Sequence, residues 1–207
     1  MDKLQTKQEL LAKLNSLTSV PDDNNIFLKE KVKKALLKSP ELLYALHNVD
    51  LEETELFNED GTINYDGDWT MYYGREGNIH PYFFLPNTQP YDTMNHLCFK
   101  TEFTDIPKYN QIMCYMQVTF LVMVNVDDVI DPLTGITRHD LIDSIIRERF
   151  NWSNIFGAQC KIVSDKESFT DSNYIIRTIV VEQETTNNIT GTRNGKRMVI
   201  NKQPWTN

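Results

Sequence analysis

The run 111–126, Gln-Ile-Met-Cys-Tyr-Met-Gln-Val-Thr-Phe-Leu-Val-Met-Val-Asn-Val, restricts the fold more than any other part of this chain. Successive side chains of an extended strand point to opposite faces. Val118, Phe120, Val122, Val124 and Val126 therefore share one face, and Thr119, Leu121 and Met123 share the other. Both faces are largely apolar. Such a strand belongs at the centre of a sheet covered on both sides. The rest of the sequence must supply strands to flank it and helices to cover it.

The flanking strands are legible. Leu97, Phe99, Thr101 and Phe103 alternate with Cys98, Lys100, Glu102 and Thr104, the pattern of a half-buried strand. Residues 158–164 and 173–185 read as two further strands. The polar stretch Ser164-Asp165-Lys166-Glu167-Ser168 joins them, which makes a long hairpin with Asp165 and Glu167 at its tip.

A loop spans 127–136. A helix then starts at Thr137, which fits an N-cap with Asp140 in the reciprocal position of a capping box. It runs to about Phe150. Leu141, Ile142, Ile145, Ile146 and Phe150 line one face, and Arg138, Asp140, Asp143, Arg147 and Glu148 lie away from it. The fold class expected is α+β: an antiparallel sheet packed by a helix, preceded by a helical leader.

Four segments follow. Residues 1–50 form the helical leader, with Leu10, Leu11 and Leu14 at helical spacing, a second helix after Asp23 or Asn24, and a restart at Ser39-Pro40-Glu41. The leader reads as a separate subdomain or a docking arm. Residues 51–96 are irregular yet crowded with Tyr65, Trp69, Tyr72, Tyr73, Tyr82, Phe83 and Phe84. Those rings pack on their own core or on a neighbouring chain. Residues 97–186 form the α/β core, and 187–207 a basic arm with a short apolar spell at Met198-Val199-Ile200.

Charge follows the same division. The net charge is -8. Residues 1–50 hold 8 basic and 7 acidic side chains, 51–186 hold 9 and 22, and 187–207 hold 4 basic and no acidic ones. An acidic middle argues against tight DNA binding, because phosphate contacts need Lys and Arg. No apolar run approaches the ~18 residues of a membrane span, and the N-terminus lacks the apolar stretch of a signal peptide. Three scattered cysteines, Cys98, Cys114 and Cys160, argue against a disulfide framework.

Catalytic signatures are absent: no Gly-x-Ser-x-Gly, no phosphate-binding Gly-Lys-Ser/Thr, no His-Glu-x-x-His, no Cys-x-x-Cys. The four histidines, His47, His80, His96 and His139, are dispersed. His96-x-Cys98 has no second pair to complete a zinc site. Asp127, Asp128 and Asp131 end the central strand. They either gather a hard cation or turn the chain and cap amides before Pro132, and Asp66-Gly67-Asp68 carries the same two readings. The expectation is a chain with no catalytic residues, no metal and no cofactor, the alternative being a metal-dependent enzyme at Asp127–Asp131.

The α–β–β–α–β–β order, with an acidic loop and a long hairpin, resembles the tail-terminator or neck-ring proteins that join head to tail in tailed bacteriophages. The segment from Tyr115 to Phe150, running into 158–185, carries the resemblance. Ile79-His80-Pro81-Tyr82 and Leu85-Pro86-Asn87-Thr88-Gln89 also look like such neck proteins. The resemblance implies a virion protein forming a homo-oligomeric ring, usually a hexamer. Such a ring caps the tail tube, joins it to the connector or stopper, and lets DNA pass without specific binding and without a membrane. It implies lumen or DNA-facing roles for Asp127, Asp128, Asp131, Asp165 and Glu167. It implies subunit contacts for Trp69, Tyr72, Tyr73, Tyr82, Phe83, Arg193, Lys196 and Arg197. Another connector, a stopper or adaptor, is the alternative position.

Overall fold

The structure is a computed structural model. It describes residues 6–18, 24–84, 94–104, 113–169, 173–186, 192–193 and 196–197. The helices are α1 (Lys7–Thr18), α2 (Asn24–Leu37), α3 (Pro40–Ala45), a short α4 (Val49–Leu51) and α5 (Arg138–Phe150). The strands are β1 (Ile79–His80), β2 (His96–Thr104), β3 (Met113–Asn125), β4 (Cys160–Phe169) and β5 (Tyr174–Thr186). A separate two-stranded pairing joins β6 (Thr192–Arg193) to β7 (Lys196–Arg197).

One sheet runs in the order β1-β2-β3-β5-β4. β1 lies parallel to β2, and every other neighbouring pair is antiparallel. β3 sits in the middle, as its two apolar faces require, and pairs with β5 from Met113↔Thr186 to Asn125↔Tyr174. The fold is the expected α+β class.

One face of the sheet carries Phe99, Val118, Phe120, Val122, Ile179 and Val181, all buried. Ile142, Ile146 and Phe150 of α5 pack on it, and the rings of Phe120 and Phe150 lie 5.0 Å apart. Leu28, Val32 and Leu36 of α2 and Leu42, Leu43 and Leu46 join the same core. Each such side chain contributes about 1.5–3 kcal/mol on burial. The expectation of a separate leader is therefore corrected. From Leu28 onward the leader supplies a wall of the main core, since β2 and β3 extend beyond what α5 alone can cover. Only α1 stands apart, with Leu10, Leu11 and Leu14 all exposed.

Three further expectations change. The irregular segment contains a strand, β1, held by two paired positions, Ile79↔Leu97 and His80↔Cys98. The polar stretch 164–168 is strand rather than tip: β4 continues to Phe169, so Asp165 and Glu167 lie in the ladder opposite Ile179 and Arg177. Arg177, opposite Glu167 and bonded diagonally to Asp165, supplies the opposite charge that lets the edge strand carry them. Thirdly, Arg138 and Asp143 do not lie away from the core, since both are buried.

The second face gathers His96, Cys98 and Met123 at its upper end, with Tyr174 and Phe84 against them. His80 and His96 meet there at 3.2 Å between Nε2 and Nδ1. Leu85-Pro86-Asn87-Thr88-Gln89 and Met198-Val199-Ile200 lie outside the described residues.

Candidate functional site

α5 begins where two ion-pair clusters meet, one on each side of its first turns. Thr137 occupies the N-cap position, but its hydroxyl donates to the Asp140 carboxylate instead of accepting an amide. The reciprocal capping box is not formed.

The first cluster lies under the loop 127–137. Arg138 is 1% exposed. Its Nε donates to Asp128 Oδ1 at 3.2 Å, and its Nη2 lies 3.4 Å from Asp131 Oδ1. Asp131 Oδ1 also accepts from the Tyr44 hydroxyl at 2.9 Å, and Oδ2 accepts from the Thr134 amide and hydroxyl at 2.9 and 2.7 Å. Burial by itself raises the Asp131 carboxyl. The Thr134 bonds, Tyr44 and Arg138 outweigh it and hold the group below its ordinary value.

Asp128 is tied to the leader and the sheet. Its Oδ2 lies 2.7 Å from His47 Nδ1 and accepts from Asn95 Nδ2 at 2.7 Å. Asn95 Oδ1 accepts the Asn125 amide at 3.0 Å, and its carbonyl accepts from Asn78 Nδ2 at 2.9 Å. Asn48 Nδ2 donates to Asn78 Oδ1 at 2.8 Å. His47 holds a left-handed backbone, φ 51°, just past α3, and this turns its ring toward Asp128. Polar groups from separate segments thus satisfy one another, with Asn78 and Asn95 buried and His47 and Asp128 partly exposed. Glu52 lies beside this network, and burial raises its carboxyl above the ordinary value, with His47 and Arg138 pulling the other way.

The second cluster joins α5 to the hairpin. Arg177 of β5 holds Asp165 of β4 in a two-pronged pair, Nε–Oδ1 2.8 Å and Nη2–Oδ2 3.0 Å. The same guanidinium bonds Asp140 and lies 3.2 Å from Asp143 on α5. Arg147 reaches Asp143 at 3.0 Å and also bonds Asp165. Planar guanidinium forks suit such paired recognition.

These contacts revise the expected lumen set. Asp131 has no exposed surface and faces no lumen. Asp128 and Asp165 are committed to Arg138 and Arg177, with 22% and 13% of their side chains exposed. Asp127 and Glu167 stay exposed. The Asp127–Asp131 cluster already holds its cation, the Arg138 guanidinium, so two of its three carboxylates are occupied.

The aromatic set divides likewise. Tyr72 is fully buried in its own core, which removes it from any subunit contact. Burial, with Glu52 and Glu55 nearby, pushes its hydroxyl well above the ordinary value. Trp69 packs against the core and donates Nε1–H to the Glu55 carbonyl at 3.1 Å. Tyr73 lies under Lys33, 4.6 Å from the ring centre, and burial, aided by Glu30, pushes its hydroxyl up to about 12. Tyr82 and Phe83 are exposed. For Arg193, Lys196 and Arg197 the structure describes only the pairing of β6 with β7.

Among the described residues, an exposed acidic stretch lies where the sequence suggested aromatic packing. Asp50, Glu53, Glu59, Asp60, Asp66, Asp68 and Glu76 are all exposed, and Arg75 is the one Lys or Arg between residues 50 and 76. Its charges are interleaved with Tyr65, Trp69, Tyr72 and Tyr73, and a charge count over this segment alone finds it. Asp68 also caps the 3-10 turn Trp69–Tyr72 by accepting the Thr70 amide at 3.1 Å.

No curated protein matches the chain. The family model YomW matches residues 39–183, from the start of α3 into β5, and the chain belongs to this phage-associated (Bacillus prophage) family.

Proposed function

We propose that this chain is a structural, non-enzymatic subunit of the phage head–tail junction. It forms a ring, a hexamer in the arrangement such proteins usually adopt, that caps the tail tube, joins it to the connector and lets DNA through. The observation that carries the reading is the order α3–β2–β3–α5–β4–β5, with all four long strands in one sheet and α5 lying across it. That is the order the sequence shares with tail terminators, and it falls inside the segment matched by a phage-associated family.

Two surfaces support it. The acidic segment 50–76 repels phosphate and suits a wall past which DNA slides. The exposed apolar side chains of Tyr65, Met71, Tyr82 and Phe83 offer a neighbour something to bury. The arginine-bound carboxylates of the first cluster favour a structural role over metal-dependent catalysis there.

Deleting the gene from its phage tests the reading. The expected result is DNA-filled heads separate from tails of uncontrolled length, with the protein recovered as rings by native mass spectrometry. Tails of normal length on free heads would move the assignment to a stopper or adaptor. Normal infectious particles, or a strict monomer at high concentration with tail proteins present, would overturn it.

A further inference from the structure

The second cluster also includes a buried histidine, His139. His139 is 4% exposed. Its Nδ1 is buried without a partner. Its Nε2 points between two carboxylates, 3.5 Å from Glu167 Oε2 and 3.7 Å from Asp140 Oδ2. A buried ring nitrogen without a hydrogen-bond partner is costly.

We propose that His139, Asp140 and Glu167 bind one divalent transition-metal cation, with Zn2+ as the best match. One ligand atom from each residue lies within 4.8 Å of the other two. Zinc bonds to nitrogen and oxygen are about 2.0–2.2 Å long. Ligand atoms around such an ion sit roughly 3–3.5 Å apart, so small side-chain movements close the set.

Charge points the same way. Asp140, Asp143, Asp165 and Glu167 face two guanidiniums, Arg147 and Arg177. With a neutral imidazole the cluster carries two uncompensated negative charges, which one dication cancels. Asp140 and Glu167 are 46% and 58% exposed, so water can complete the coordination. An imidazole ligand favours zinc over magnesium, which prefers oxygen alone. The ion would tie the first turn of α5 to the edge strand β4, whatever the chain's place in the virion.

Zinc titration of the full chain by calorimetry, with thermal unfolding in Zn2+ and in Mg2+, tests the site. The expected result is one equivalent of zinc bound and a Tm raised by Zn2+ but not by Mg2+. Glu167→Gln, an exposed change that leaves the fold intact, should weaken zinc binding more than about tenfold. Lys166→Gln should leave it unchanged. His139→Gln should abolish binding, with circular dichroism to check folding. Absence of zinc binding, binding unaffected by Glu167→Gln, or an equal response to Mg2+ would each overturn the proposal.

Discussion

The Arg138 guanidinium lies 3.4 Å from the Asp131 carboxylate, and neither side chain has more than 1% of its surface exposed. Removing one partner of a buried pair costs about 3–5 kcal/mol, because the other is left as an unpaired buried charge. Arg138→Leu should destabilise by that amount in urea unfolding. Asp127→Asn, immediately before Asp128 in the same loop, changes an exposed side chain and should stay within about 0.5 kcal/mol.

Asp131 also sets an acid limit. Its folded-state value lies below its unfolded one. Its contribution is therefore complete above the unfolded value and is lost as pH falls through the folded one. Asp131→Asn should be less stable at neutral pH, and its stability should fall less steeply on acidification. Unfolding curves at stepped pH read both slopes.

Glu52 behaves in the opposite sense. Burial raises its folded-state value above the unfolded one, so its cost appears as pH rises through that window and is full above it. Glu52→Gln should raise Tm at neutral pH, and the gain should vanish in acid. A Tm that drops at neutral pH would refute this account of Glu52.

Gly67 and Gly77 sit against backbone. A Cβ on Gly67 would lie 2.1 Å from the Glu55 carbonyl oxygen, and one on Gly77 would lie 2.3 Å from the Tyr72 carbonyl carbon. Each Gly→Ala change forces the main chain apart and should cost about 1–3 kcal/mol, in line with overpacked cores. Chemical denaturation measures it.

Cys98 is buried, and burial pushes its thiol up to about 12. Only the thiolate reacts readily with alkylating reagents. Iodoacetamide at neutral pH should leave Cys98 unmodified in the folded chain and label it after denaturation, as peptide mass mapping will read.

The sheet and its covering helix were legible because their signals are local. Val118, Phe120 and Val122 alternate within one strand, and Ile142, Ile146 and Phe150 recur within one helix. Strand β1 was not legible. Its two residues carry no period, and it exists through pairing with Leu97 and Cys98. The burial of Arg138 was hidden for a related reason. Its immediate partners are close in sequence, but Tyr44, His47 and Asn95, which complete the network, come from elsewhere in the chain. Asp165 and Glu167 read as a polar turn because the residue that justifies them, Arg177, lies on the next strand.

Arg177 has one more effect, on the alignment of the hairpin. It sits opposite Val122 on one side and Glu167 on the other, on the face that carries α5. Sliding β5 by one residue would turn every one of its side chains to the opposite face. The guanidinium would then leave Asp140, Asp143 and Asp165 behind, and Ile176 or Thr178 would stand among three carboxylates. A single charged side chain thus acts as a keyway for the sheet, admitting one alignment of two long strands that apolar pattern alone would hold less strictly.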